Sequence, residues 1–107
     1  MRWTVETLNA AVEAEIDALP KDMRARLSRL GSIIEQVGFV GLPPDSVRHL
    51  EDKLWELRIT GRDGISRAVY VTATGRRVVI VRVFVKKTQK TPPHELELAR
   101  QRAKEVR

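Results

Sequence analysis

Six cations and not one acid fall between Arg76 and His94, in the run RRVVIVRVFVKKTQKTPPH. They are Arg76, Arg77, Arg82, Lys86, Lys87 and Lys90; Thr88, Gln89 and Thr91 add hydroxyl and amide donors among them. Guanidinium and ammonium groups at this density suit the binding of phosphate oxygens through charge-assisted hydrogen bonds. The element that delivers them reads as a strand, because Val78, Val79, Ile80, Val81, Val83, Phe84 and Val85 form a near-continuous β-branched and aromatic sequence. The chain then leaves the sheet from Lys86 to Thr91 and meets Pro92-Pro93. A core strand with a solvated basic tail accounts for the same residues, so both readings stand on this stretch alone.

Composition narrows the classes around it. The chain of 107 residues is long enough for one domain with a real core, spanning residues 1–107. It has no cysteine, which excludes disulfides and Cys-based metal sites. Its two imidazoles, His49 and His94, are not at metal-ligand spacing, and neither a metal nor another cofactor is expected. No apolar run approaches the ~20 residues of a membrane span, and the N-terminus has no signal-peptide pattern. A soluble cytoplasmic protein with no membrane partner is the expectation. The net charge of +6 is uneven: residues 1–60 carry 8 Lys/Arg against 10 Asp/Glu, and residues 61–107 carry 12 against 4. One half therefore suits a polyanion and the other supports it. Aromatics are too few to suggest a stacking platform for single strands.

In chain order, Arg2 to Leu8 alternates as a short strand. Asn9 can cap a helix through about Leu19, with Leu8, Val12, Ile16 and Leu19 on one stripe. Pro20 begins a second helix, on which Met23, Leu27, Leu30, Ile34 and Val37 recur at helical spacing before Gly38 ends it. Arg24, Arg26 and Arg29 read as the solvated side of that helix in preference to a second RNA contact. Gly41 to Asp45 is a loop, and Ser46 to Leu50 is ambiguous. Three strands follow, Leu54–Thr60, Ile65–Thr72 and Arg77–Lys86, joined by turns at Gly61–Gly64 and Thr74-Gly75. Thr91 can cap a last helix with Pro92 at its first position, and Leu96, Ala99, Ala103 and Val106 form its stripe. The fold class is α+β in the order β-α-α-β-β-β-α.

Turns fix register, and register decides which side chains meet. The Gly61–Gly64 turn places Arg58 opposite Arg67, Trp55 opposite Tyr70 and Leu57 opposite Ala68. A two-residue Thr74-Gly75 turn places Arg67 opposite Arg82. Three arginines would then cross adjacent strands over roughly 10 Å, with Lys86 on the same face. Like charges directly opposite one another destabilise a sheet, so folding alone does not explain such a row; a phosphodiester chain laid across it would. Tyr70 reads as a packed core residue. By parity Glu56 shares the arginine face, as a base or as the neutralising partner of Arg58.

The segments from Leu50 to Arg58, from Arg67 to Tyr70 and above all Phe84-Val85-Lys86-Lys87-Thr88-Gln89-Lys90-Thr91-Pro92 resemble the RelE/HigB superfamily of toxins, closest to its phage-derived, HigB-like branch. The resemblance runs in order over nearly the whole chain. It implies a RelE-like fold, a small antiparallel sheet with an N-terminal helical hairpin and a C-terminal helix. It also implies a toxin of a type II toxin–antitoxin system that cleaves mRNA on the ribosome, restrained by a cognate helix-turn-helix antitoxin. Matched residue by residue, Arg58 takes a basic position of the family's second strand, Arg67 the Arg of the next, and Lys86 and Lys87 the basic exit of the last. Lys53 replaces a usual Gly, and Arg82 stands where the branch often has His. Guanidinium does not deprotonate near neutral pH, so Arg82 would leave proton transfer to other groups.

Cleavage of this kind needs the ribose 2′-OH to attack the adjacent phosphorus while the 5′-oxygen leaves, and clustered cations stabilise the added charge. The expected catalytic set is Arg58, Arg67, Arg82, Lys86, Lys87 and His94. Arg67 and Arg82 would take the scissile phosphate, and Arg58 a neighbouring one. Lys86 or Lys87 is a candidate base, since cations around a lysine lower its pKa. His94 is a candidate acid or simply an exposed residue early in the last helix. Lys90, Gln89, Arg76 and Arg77 complete an RNA-binding set. Two other classes stay open: a gyrase-directed toxin of the same fold, and a non-catalytic RNA-binding degenerate toxin.

Overall fold

The computed structural model describes residues 2–86 and 90–107. The order is β1 (Thr4–Thr7), α1 (Ala10–Asp17), α2 (Lys21–Val37), β2 (Val47–Glu51), β3 (Leu54–Gly61), β4 (Gly64–Ala73), β5 (Arg77–Lys86) and α3 (Pro93–Ala103). The strands form one sheet in the order β1-β5-β4-β3-β2. The architecture is α+β, but the expected antiparallel sheet is mixed, because β1 runs parallel to β5. The first two helices intervene between β1 and the rest of the sheet, so the chain can return in either direction.

A fifth strand, β2, occupies the ambiguous segment before Leu54. It joins β3 through a tight turn at Asp52-Lys53, where Asp52 takes φ 44°. No glycine marks that turn, and the usual sign of a hairpin is therefore missing.

The two faces of the sheet are covered separately. On one, Val12, Met23, Leu27, Leu30 and Ile34 of α1 and α2 pack against Leu57, Ile59, Ala68, Tyr70, Val78, Ile80 and Val83. On the other, Ala99 of α3 packs against Leu54, Val69, Val71, Val79, Val81 and Phe84. Asn9 caps α1 as expected, accepting from the Val12 N–H at 3.1 Å, and Gly38 at φ 81° ends α2. Val37, expected in the stripe of α2, is instead exposed at the last position of that helix. The first turn of α3 sits one residue later than expected, with Pro93 rather than Pro92 inside the helix. Thr91 consequently does not cap it and points its hydroxyl elsewhere.

Candidate active site

The β3–β4 hairpin has the expected register. Arg58 lies opposite Arg67, Trp55 opposite Tyr70 and Leu57 opposite Ala68. The β4–β5 register differs, in two steps. Ala73 pairs with Arg77, so three residues turn the corner, with Gly75 at φ 87° and Arg76 at φ 57°. A bulge at Val81 then adds a second residue, since Tyr70 pairs with Ile80 but Val69 with Arg82. One slip alone would send every later side chain of β5 to the wrong face. The bulge restores the face while leaving the strand displaced by two residues. Phe84, not Arg82, therefore stands opposite Arg67.

Arg82 is engaged by acids. Its Nε and Nη2 donate to Glu95 of α3 at 2.6 and 3.1 Å, and its Nη1 lies 2.8 Å from Glu15 of α1. Arg102 joins the same carboxylate at 2.7 Å and also donates to the Val81 carbonyl at 3.0 Å. Glu15 in turn accepts from the Val83 N–H at 3.1 Å. The network closes the edge of β5 where β1 has ended, and it ties both helical layers to the bulge. The two carboxylates hold the Arg82 pKa above its ordinary value, with the hydrogen bonds to Glu95 as the leading cause.

The cations that do gather lie on the α3 side of the sheet, toward the C-terminal end of β5. Arg67 is 3% exposed and its Nη1 lies 2.5 Å from Glu56, which is fully buried. Glu56 thus neutralises Arg67 rather than Arg58. Burial lowers the Arg67 pKa; Glu56 opposes that, and Arg58 and Arg48 add to it. Its Nε is buried with no hydrogen-bond partner among the described residues. The other face of the carboxylate receives Thr91, whose hydroxyl is 3.4 Å from Glu56 Oε2.

Lys86, at the end of β5, feels the same group. Its pKa is held below the ordinary lysine value, first by burial and then by Arg67, with Arg48 and Arg58 adding to the effect and Glu56 opposing it. Arg48, exposed on β2 directly opposite Glu56, completes the cluster. Its sequence signal is slight, an alternation over the five residues of β2.

The remaining expected residues are placed as follows. His94 is 78% exposed at the start of α3, 3.6 Å from Glu95. Lys90 is exposed just before that helix. Lys87 and Gln89 lie outside the described residues. Arg76 and Arg77 sit at the opposite end of β5 from Lys86, about 30 Å away at strand rise. Arg77 is held there by Glu6 at 2.6 Å and by the Arg107 carbonyl. They do not join the cluster, because the long strand separates the two ends of the basic run.

The assembled group has the charge and exposure that suit a polyanion. No set of three His, Asp or Glu side chains among the described residues could hold a metal ion. Guanidinium and ammonium groups from four adjacent strands instead converge around one buried carboxylate. Residues 14–104 match the model of the phage-derived Gp49-like protein family (DUF891). The chain belongs to that family. Gp49-like proteins are a RelE/HigB-like toxin family of toxin–antitoxin systems, and membership implies an antitoxin partner. No curated protein matches the chain. No helix among the described residues of this Gp49-like chain is long and apolar enough to cross a membrane.

Proposed function

We propose that this Gp49-like chain is a toxin of the HigB-like branch with a RelE-like fold, acting in the cytoplasm as a ribosome-dependent, metal-independent mRNA endonuclease. The observation that carries the reading is the convergence of Arg48, Arg58, Arg67 and Lys86 around Glu56. Arg58 and Arg48, both with solvent access, take the phosphates flanking the cleaved bond. Arg67 is fixed by Glu56 and turns its field toward the scissile phosphate, where the phosphorane gathers charge. Lys86, with its lowered pKa, accepts the proton of the attacking 2′-OH. His94, exposed in the first turn of α3, protonates the leaving 5′-oxygen. Lys87, Gln89 and Lys90 hold RNA beyond it. Arg82 acts as a positioning residue that holds α3 and the bulge, and proton transfer falls to Lys86 and His94.

The ribosome would supply the substrate's in-line geometry, and a cognate helix-turn-helix antitoxin would restrain the toxin. A non-catalytic RNA binder is the second reading, favoured by the Glu56–Arg67 pair, since an arginine already neutralised stabilises the added charge of the phosphorane less. Primer extension on a translated reporter, with and without ribosomes, distinguishes them; growth arrest with intact mRNA would instead direct attention to gyrase.

A further inference from the structure

Among the described residues, strand β2 is the outer edge of the sheet, with β3 as its only neighbour. The Arg58 N–H donates to the Ser46 carbonyl at 2.8 Å and Arg48 pairs with Glu56, so these even-numbered positions face β3. Antiparallel alternation then turns the main-chain N–H and C=O groups of Val47 and His49 outward. The edge of β5 beyond Ile80 is closed by Glu15 and Arg102. No comparable cover lies on β2 among the described residues.

The two sides of this edge differ. On one, a cavity of about 490 Å³ is lined by Trp3, Phe39, Leu42, Val47, Trp55 and Tyr70, with Asp45 also in its wall. Its aromatic rings are already ordered: Trp3 meets Phe39 edge-on at 5.2 Å, and Phe39 stacks on Tyr70 at 5.9 Å. Trp55 remains 38% exposed. On the other side stand Arg48 and Arg58. Successive side chains of an extended segment point to opposite faces. A strand added to β2 would therefore place one set of side chains in the aromatic cavity and the other against the arginines.

We propose that the β2 edge and its cavity form a docking site for an extended segment of a partner protein in which large apolar residues alternate with Asp or Glu. Main-chain hydrogen bonds to Val47 and His49 give the segment its register, the cavity takes its apolar side chains, and Arg48 and Arg58 select its acids. Charge decides against other occupants. No lysine or arginine lines the cavity and Asp45 does, so a nucleic acid strand would meet a carboxylate where it needs a cation. Two copies paired antiparallel about Arg48 would set that residue beside its own copy, which is unfavourable.

Both tryptophans of the chain line the cavity, so intrinsic fluorescence of the intact protein reports its filling. The probe is the blocked heptapeptide acetyl-Asp-Leu-Glu-Phe-Glu-Leu-Asp-amide, with two analogues N-methylated on alternate sets of amides. The expected result is a saturable tryptophan change that weakens about tenfold or more with one methylated set and little with the other, the signature of strand pairing. Trp55→Thr and Val47→Pro should weaken it comparably; the peptide analogues keep the test intact if either variant fails to fold. No saturable change at millimolar peptide would overturn the proposal. So would equal binding of both methylated analogues, or tighter binding of an oligoadenylate to the same tryptophans. A stable dimer by sedimentation that blocks the peptide would overturn it too, by assigning the edge to a second copy.

Discussion

Arg67 and Glu56 form a diagonal pair across β3 and β4, 2.5 Å apart and both shut away from solvent. Each alone would be costly at that depth, and removing one partner of a buried pair costs about 3–5 kcal/mol. Glu56→Gln should destabilise the protein by that order, read as a lower urea midpoint. Replacing the pair with apolar side chains, as in Glu56→Leu with Arg67→Met, should recover most of the stability. The recovered protein should still not cleave mRNA. Cleavage by that double variant would remove Arg67 from the active site.

Arg82 separates differently. Its fork bridges Glu95 and Glu15, and a charged hydrogen bond contributes about 1.5–3 kcal/mol. Arg82→Lys keeps the charge and loses the fork. The variant should unfold at lower denaturant and lose hydrogen-exchange protection in α3, with cleavage reduced only in proportion to the folded fraction. Full stability with cleavage abolished would return Arg82 to direct contact with phosphate.

The far end of β5 supplies an internal control. Arg76→Ala and Arg77→Ala lie about 30 Å from Lys86 at strand rise and should leave cleavage within about twofold of the unaltered protein, a change at the level of a few tenths of a kcal/mol. A tenfold loss in a folded Arg76→Ala protein would show that RNA extends along the whole strand.

Acid sensitivity has a defined origin. The Glu6 pKa is lowered chiefly by its hydrogen bond from Arg77, that of Asp22 by the Arg62 N–H at 2.6 Å, and that of Glu51 by its hydrogen bond from Arg100. A carboxylate whose folded pKa is depressed stabilises the fold fully above its unfolded value, near 4. That stability is lost as pH falls through the folded value. Stability should thus be flat with respect to these groups at neutral pH and decline below about pH 4. Asp22→Asn should flatten part of the decline in chemical denaturation run from pH 6 to pH 2.5; an unchanged acid limb would show that the Arg62 contact does not persist in solution.

The sequence carried the helical hairpin, the Gly61–Gly64 turn and the facing of Arg58 and Arg67, because each has strong local chemistry. The register of Arg82 did not follow, since a third turn residue and a bulge are set by packing and by the Glu15 and Arg102 contacts, distant in sequence. β2 escaped for want of a glycine turn, and Arg48 with it. The choice of Glu56 for Arg67 over Arg58 required knowing which arginine is buried, and burial depends on how α3 and Thr91 close over the sheet.

The most direct measurement is primer extension on a reporter mRNA in a purified translation system, with ribosomes present or omitted. The unaltered protein is compared with Arg58→Ala, Lys86→Ala, a pair of changes outside the buried Glu56–Arg67 contact whose folding circular dichroism can verify. The expected result is cuts within the translated frame that require ribosomes and fall about 100-fold or more in the variant, the scale of losing groups that stabilise transition-state charge. Intact mRNA with the unaltered protein, or cuts that persist in the folded variant, would contradict an active site built on this face of the sheet.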